Sequence, residues 1–103
     1  MKAQAIIYRI KPRKLKTWRA WCHALDTRLR ANALHTLKEE KSTIEFFINF
    51  KIGQNWYALG SQIGMLKPSN VKREINRKHR KIRLECLEPI SRAEYGYFLQ
   101  LRG

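Results

Sequence analysis

The chain has 103 residues, and 22 lysines and arginines against 8 aspartates and glutamates give a formal net charge of +14. Hydrophobic residues make up 44% and aromatic residues 11% of the chain, which excludes a disordered polymer and predicts a folded core. Because domains typically contain about 100 to 150 residues, we expect a single domain, residues 1–103. The positive charge attracts polyanions, so nucleic acid stays among the possible partners.

The two cysteines, Cys22 and Cys86, are embedded in the apolar spacing of predicted helices rather than in turns. Two isolated thiols form neither a disulfide framework nor a zinc site, so we expect both to be reduced core residues. We expect no metal and no cofactor. No apolar stretch approaches the length of a membrane span, and we therefore expect no membrane association and a cytoplasmic location.

The first predicted elements are a strand and one long helix. Residues 2–10 alternate in polarity and predict a strand, which ends before Pro12 because proline lacks an amide donor. From Arg13 onward apolar residues recur at every third or fourth position, which is typical of an amphipathic helix. We expect this helix to continue to about Lys41, with an irregularity near residues 31–33.

A hairpin follows the long helix. Residues 42–52 alternate strictly and predict a strand, residues 53–55 have the composition of a turn, and residues 56–63 predict the antiparallel return strand. One face of the first of these strands is wholly apolar. Its members are Ile44, Phe46, Ile48, Phe50 and Ile52.

The last third of the chain predicts a helix and a strand. Either Ser69 or Asn70 can cap the helix, whose apolar stripe includes His79 and which ends before Pro89. Residues 93–101 alternate again and predict the final strand.

The predicted order βαββαβ, with a tight hairpin in its middle, is the ferredoxin-like arrangement of an α+β protein. Right-handed crossovers place both helices on one face of a four-stranded antiparallel sheet and leave the other face open. We expect that open face to carry a mixed set of polar and aromatic side chains: Arg9, Glu45, Phe47, Asn49, Trp56, Gln62 and Phe98. Such a face is too apolar to stay in solvent, so we expect it to be covered.

Several short segments carry a family likeness: Ile10-Lys11-Pro12 before a Trp-bearing helix, residues 34–40, Glu45-Phe46-Phe47, Tyr57 and Lys78-His79. Over about residues 6–87 the chain resembles a small family of uncharacterised proteins of the dimeric α/β-barrel, ferredoxin-like superfamily. The resemblance implies a homodimer in which two open sheet faces enclose a cavity. Relatives in the wider superfamily include cofactor-independent monooxygenases, small isomerases and haem-degrading enzymes. In the nearer family the matching Glu and His positions would be Glu45 and His79.

Glu45 and His79 are the catalytic candidates. A carboxylate in the middle of a covered sheet face either pairs with Arg9 or a basic group of a partner subunit, or serves as an acid or base. An imidazole on an apolar helix stripe is either a hydrogen-bonded core residue or a base facing the cavity. The expected ligand-binding residues beside them are Arg9, Phe47, Asn49, Trp56 and Gln62.

The leading hypothesis is a homodimer that binds a small molecule between two sheets, and a cofactor-independent enzyme of monooxygenase or isomerase type is one form of it. The alternative is a nonspecific nucleic-acid-binding module, in which a basic helix surface contacts phosphates. That surface would consist of Lys72, Arg73, Arg77, Arg80, Lys81 and Arg83. A purely structural role, with acidic proteins as partners, is the third possibility.

Overall fold

The computed structural model describes residues 2–101, which form four strands and three helices. In chain order these are β1 (Lys2–Ile10), α1 (Leu15–Asp26), α2 (Arg30–Glu39), β2 (Ser42–Ile52), β3 (Asn55–Gly64), α3 (Glu74–Cys86) and β4 (Leu87–Ala93). The strands form one antiparallel sheet in the order β2-β3-β1-β4. Among these residues no helix is both long and apolar enough to cross a membrane. The single domain expected over residues 1–103 stays a prediction, and its ends, residues 1, 102 and 103, lie outside the described residues.

The predicted two-helix, ferredoxin-like βαββαβ layout of a dimeric α/β barrel is wrong, because two helices instead of one separate β1 from β2. The expected long helix is interrupted between Asp26 and Arg30. There the Thr27 hydroxyl donates to the His23 carbonyl at 2.6 Å, while the Thr27 amide donates to the Ala24 carbonyl at 3.3 Å. The Thr27 hydroxyl thus occupies the His23 carbonyl, which in a continuous helix would accept the Thr27 amide. Competition of this kind ends helices. The break precedes the irregularity expected near residues 31–33.

The final strand is also corrected. It covers residues 87–93 and follows α3 directly, whereas residues 94–101 form no regular element. The chain turns from helix to strand at Cys86, whose carbonyl accepts from the Lys11 amide at 2.8 Å. Pro89 then lies inside β4, opposite Tyr8. It is tolerated there because β4 is an edge strand, where a missing amide donor interrupts no further pairing.

Helix α3 begins at Glu74, four residues after the expected cap at Asn70. The Asn70 side chain does accept a backbone amide, that of Lys72 at 3.0 Å, and its carbonyl accepts the Arg73 amide at 3.1 Å. Asn70 therefore closes a turn ahead of the helix instead of capping the helix itself.

The sheet faces are the reverse of those expected. Glu45, Phe47 and Asn49 were expected on the open face, together with Trp56 and Gln62, but all five lie on the face that the helices cover. Their ladder partners show this, since directly opposed residues share a face: Glu45 opposes Gln62, Phe47 opposes Gly60, and Asn49 opposes the fully buried Ala58. Phe98, expected beside them, lies outside the sheet.

The other side of the sheet, here called the open face, is formed largely by apolar residues. Phe50 stacks on Tyr57 with ring centroids 5.6 Å apart, and the side chains of Ile48 and Ile52 are 51% and 63% exposed. The register assigns nine large apolar side chains to this face: Ile7, Ile44, Phe46, Ile48, Phe50, Ile52, Tyr57, Leu59 and the buried Ile63.

The core lies between α1, α3 and the helix-covered face of the sheet. Its buried members are Tyr8, Ile10, Trp18, Trp21, Ala24, Ala58, Cys86 and Leu87. Both cysteines lie on helices as free thiols, as predicted. The ring of Phe47 lies over Gly60, where a Cβ would come within 2.7 Å of the ring. Phe47 also contacts Trp18 edge to face, with centroids 5.0 Å apart, so Gly60 sets the position of an aromatic group at the centre of the core.

Gly60→Ala is expected to displace the Phe47 ring and to lower the free energy of unfolding by about 1 to 3 kcal/mol, the usual cost of overpacking a core. Urea denaturation followed by circular dichroism measures this difference. Gly96→Ala is the matched control, because a Cβ at Gly96 meets nothing within 4 Å. Equal stability of the two variants would contradict the seating of Phe47 on Gly60.

Candidate functional site

Three cavities between the helices and the sheet have Glu45 and His79 in their walls. Their volumes are about 700, 440 and 80 Å³. The largest falls within the range of roughly 300 to 1,000 Å³ that small-molecule sites occupy. Leu25, Ala33 and Ile75 supply apolar walls to it. The two residues predicted as catalytic candidates therefore line the same open clefts.

His79 is held in one tautomer. The indole Nε1 of Trp21 donates to His79 Nδ1 at 2.8 Å, so Nδ1 must offer a lone pair and the ring proton is at Nε2. Burial and, to a lesser extent, the nearby positive charge of Arg83 together lower the pKa of His79 from 6.5 to about 4. His79 is consequently neutral near pH 7 and keeps an N–H donor at Nε2.

Glu45 has the opposite perturbation. Its side chain is exposed on edge strand β2, yet the protein around it partly desolvates the carboxyl group and raises its pKa. The charge of Glu40 raises the pKa further, while that of Arg83 lowers it. A carboxyl group whose pKa is moved toward neutrality exchanges protons more readily at working pH than an ordinary glutamate does.

Gln62 links the two carboxylates of this site. Its Nε2 donates to Glu45 Oε1 at 3.0 Å and to Glu40 Oε1 at 3.2 Å. Burial also raises the pKa of Glu40. The amide therefore fixes the orientation of two acidic side chains, one from the end of α2 and one from β2.

Two other kinds of reactive site gain little support. Burial raises the pKa of both thiols, Cys22 and Cys86, so neither is a ready thiolate nucleophile. Within residues 2–101 no group of three or more His, Cys, Asp and Glu side chains is placed to hold a metal ion.

The other predicted ligand-binding residues are divided between site and core. Gln62 and Phe47 line cavities beside Glu45 and His79. Asn49 accepts from Trp18 Nε1 at 2.8 Å and is thus part of the core's hydrogen bonding. The ring of Trp56 lies under the Arg19 guanidinium at 4.5 Å. Asn49 and Trp56 share the inner face with the site without being among its wall residues.

Arg9 is separated from the site. It lies on the open face, as expected, where its guanidinium donates to Asn55 Oδ1 at 3.4 Å. Of the alternatives considered for Glu45, an ion pair with Arg9 is therefore not formed within the chain. Glu40 and Arg83 are among the wall residues that were not predicted to lie in the site. Arg83 follows His79 by one helical turn, a spacing that could have placed it beside the imidazole. Nothing in the spacing marks Glu40.

The six basic residues of the predicted nucleic-acid surface have diverse positions. Arg73 forms an ion pair with Glu39 at 3.0 Å, and Arg77 donates to the carbonyls of the loop before α3. Arg80 and Arg83 line the largest cavity. Lys72 and Lys81 are exposed. Fewer of these cations are therefore available for contacts with phosphates than a continuous basic layer would provide.

Comparison with known proteins decides the family. Residues 1–101 match a family of unknown function, DUF6176. The chain belongs to this family. No curated protein and no solved structure matches the chain. Membership of an uncharacterised family is thus confirmed, whereas no family match supports the ferredoxin-like superfamily.

The buried, neutral state of His79 predicts a pH-dependent stability. Its pKa of about 4 in the folded chain lies below the ordinary value of 6.5, so protonation favours unfolding. Stability from this residue is complete above pH 6.5 and is lost as pH falls through 4, by about 3 kcal/mol in total.

Urea denaturation at several pH values between 4 and 7 measures this loss. His79→Gln should remove that part of the pH dependence, because glutamine does not titrate. His23→Gln changes an exposed histidine and should keep it. A His79→Gln variant with the pH profile of the unaltered chain would contradict the assignment.

Proposed function

We propose that this protein binds a small organic molecule in the cavity between its helices and its sheet and that Glu45 exchanges a proton with that molecule. One observation carries the proposal: Glu45, with its raised pKa, and His79, fixed as a neutral Nε2–H tautomer, share the walls of the same cavities. Perturbed acid–base groups that converge in a pocket are typical of functional sites.

The two groups have complementary roles in this proposal. The ionised carboxylate of Glu45 accepts a proton from a C–H or O–H group of the ligand. The Nε2–H of His79 donates a hydrogen bond to a ligand oxygen on which negative charge develops. Because the imidazole is already neutral, it donates this hydrogen bond without any change in its protonation state. We favour proton transfer, as in an isomerase, over the monooxygenase form, because acid–base groups are what these walls contain.

The proposed site lies within one chain. The sequence led us to expect it between the sheets of two chains, but Glu45, Phe47 and Gln62 face the helices of their own chain. Binding therefore does not require a partner subunit.

Filling the cavity should abolish binding. Ala33 lies in the walls of the two largest cavities, so Ala33→Phe places a ring inside them, while Ala31→Phe on the exposed side of α2 is the matched control. A fragment library is screened against ¹⁵N-labelled protein, with the Trp21 indole resonance as reporter. We expect hits that shift this resonance, and about a tenfold or greater loss of their affinity in Ala33→Phe alone. Hits that bind both variants equally, or a library without hits at Trp21, would contradict the proposal.

We further propose that two copies associate through the open face. This face is largely uncharged, whereas the chain as a whole carries a net charge of +14. Two copies that meet face to face keep their basic helical surfaces apart, and an isologous contact is self-complementary by symmetry.

Ile48→Lys on edge strand β2 is expected to convert the dimer to a monomer, because it places a charge in the contact. Since Ile48 is 51% exposed in the single chain, the stability of the monomer should change little. Val71→Lys is the control, because Val71 is an apolar residue that is 67% exposed and lies outside the sheet. Sedimentation velocity distinguishes the two states, and a monomeric unaltered chain at micromolar concentration would refute the association.

The nucleic-acid-binding alternative rests on the net charge alone. Of its six residues, Arg73 and Arg77 are engaged within the chain and Arg80 and Arg83 line the cavity. No single observation of geometry favours a phosphate backbone over other anions, so we do not prefer it.

A further inference from the structure

Arg83 is a half-buried cation inside the candidate site. It lines two cavities together with Glu45, Gln62 and His79. None of the ion pairs found within residues 2–101 includes it. A charge withdrawn from water is costly unless a counter-charge or several hydrogen bonds compensate it. Although its charge acts on the Glu45 carboxylate, Arg83 forms no close ion pair among the described residues, so its guanidinium is left to contact a ligand.

We propose that the ligand of this cavity is a small organic carboxylate with an apolar body, bound through its carboxylate group by the guanidinium of Arg83. This inference rests on the proposed function and adds the chemical class of the ligand. A guanidinium binds a carboxylate through two parallel N–H donors, which fixes orientation as well as position. Arg80, one turn before Arg83 on α3, adds a second positive group to the same wall.

The remaining walls fit the other parts of such a ligand. Leu25, Ala33 and Ile75 provide apolar surface for its body. Glu45 and His79 are left to contact the part of the ligand that reacts. The Arg83 charge also opposes the burial that raises the pKa of Glu45, so it helps to keep that carboxylate ionised and able to accept a proton.

In the proposed reaction, Glu45, His79 and the ligand supply every proton and electron pair that is needed. Glu45 removes a proton from the carbon next to a ligand carbonyl and forms an O–H bond. The C–H electron pair becomes a C=C bond as the carbonyl oxygen takes the negative charge and accepts the His79 Nε2–H. Where the ligand also carries a C=C bond between its β and γ carbons, the resulting dienolate takes the proton back at the γ carbon. The C=C bond thereby moves into conjugation with the re-formed carbonyl, which completes an isomerisation without an oxidant or reductant. The substrate class is thus a carboxylate that also carries an enolisable carbonyl.

Benzoate and its neutral isostere benzamide test the ligand class. Both are titrated into the ¹⁵N-labelled chain, with the Trp21 indole and His79 imidazole resonances as reporters. We expect benzoate to bind about tenfold or more tightly than benzamide, and Arg83→Gln to remove that preference. Arg83→Lys should retain part of it, because lysine keeps the charge and loses the two-pronged geometry. Arg28→Gln, an exposed arginine outside the cavity walls, should retain all of it.

The outcomes separate this inference from the proposed function. Equal binding of benzoate and benzamide would overturn the carboxylate class and leave small-molecule binding standing, and this comparison requires no variant. An equal loss in Arg28→Gln and Arg83→Gln would attribute the preference to general charge and would also overturn the inference. If neither compound shifts the Trp21 and His79 resonances at millimolar concentration, the cavity is not a binding site for such molecules and both proposals fail.

Discussion

Two indole N–H groups are buried between α1 and the elements around it, and each needs an acceptor. Trp18 and Trp21 are 0% and 4% exposed, so water cannot satisfy them. Trp18 donates to Asn49 of β2, and Trp21 donates to His79 of α3, both at 2.8 Å. These two bonds join α1 to the sheet on one side and to the neighbouring helix on the other. The bond to Asn49 also requires the polar face of β2 to lie inward. The apolar face of that strand is therefore left outside.

The polar groups on the inner side of the sheet have shifted pKa values because the same arrangement withdraws them from water. Withdrawal from water favours neutral forms, so the pKa of His79 falls while the pKa values of Glu40 and Glu45 rise. An arginine cannot respond in this way, because its guanidinium stays protonated in proteins. Arg83 therefore keeps its charge among groups that lose theirs easily. In the ligand class proposed above, this contrast is what favours an anion over a neutral polar molecule.

Part of this organisation can be predicted from the sequence, and the missing part has physical causes. Strict alternation predicts β1 and β2 with the bounds that the structure has. The break at Thr27 leaves no trace in apolar spacing, because one hydroxyl that competes for a carbonyl causes it. Glu45 and His79 stand out as polar residues in apolar stretches, so they could be predicted. The face they occupy could not, since the pattern of β2 favours burial of its wholly apolar face, whereas the Trp18 indole takes its acceptor from the polar face.

The inward turn of Glu45 also separates the two proposed activities in space. The cavity lies on the helix-covered side of the sheet and the dimer contact on the other, so each can be lost without the other. The net charge of +14 then has a use that involves no nucleic acid. A positive surface potential raises the local concentration of anions and speeds their association, an effect that weakens as salt is added. For a site whose fixed charge is that of Arg83, the surrounding lysines and arginines act as a field that directs organic anions toward the cavity.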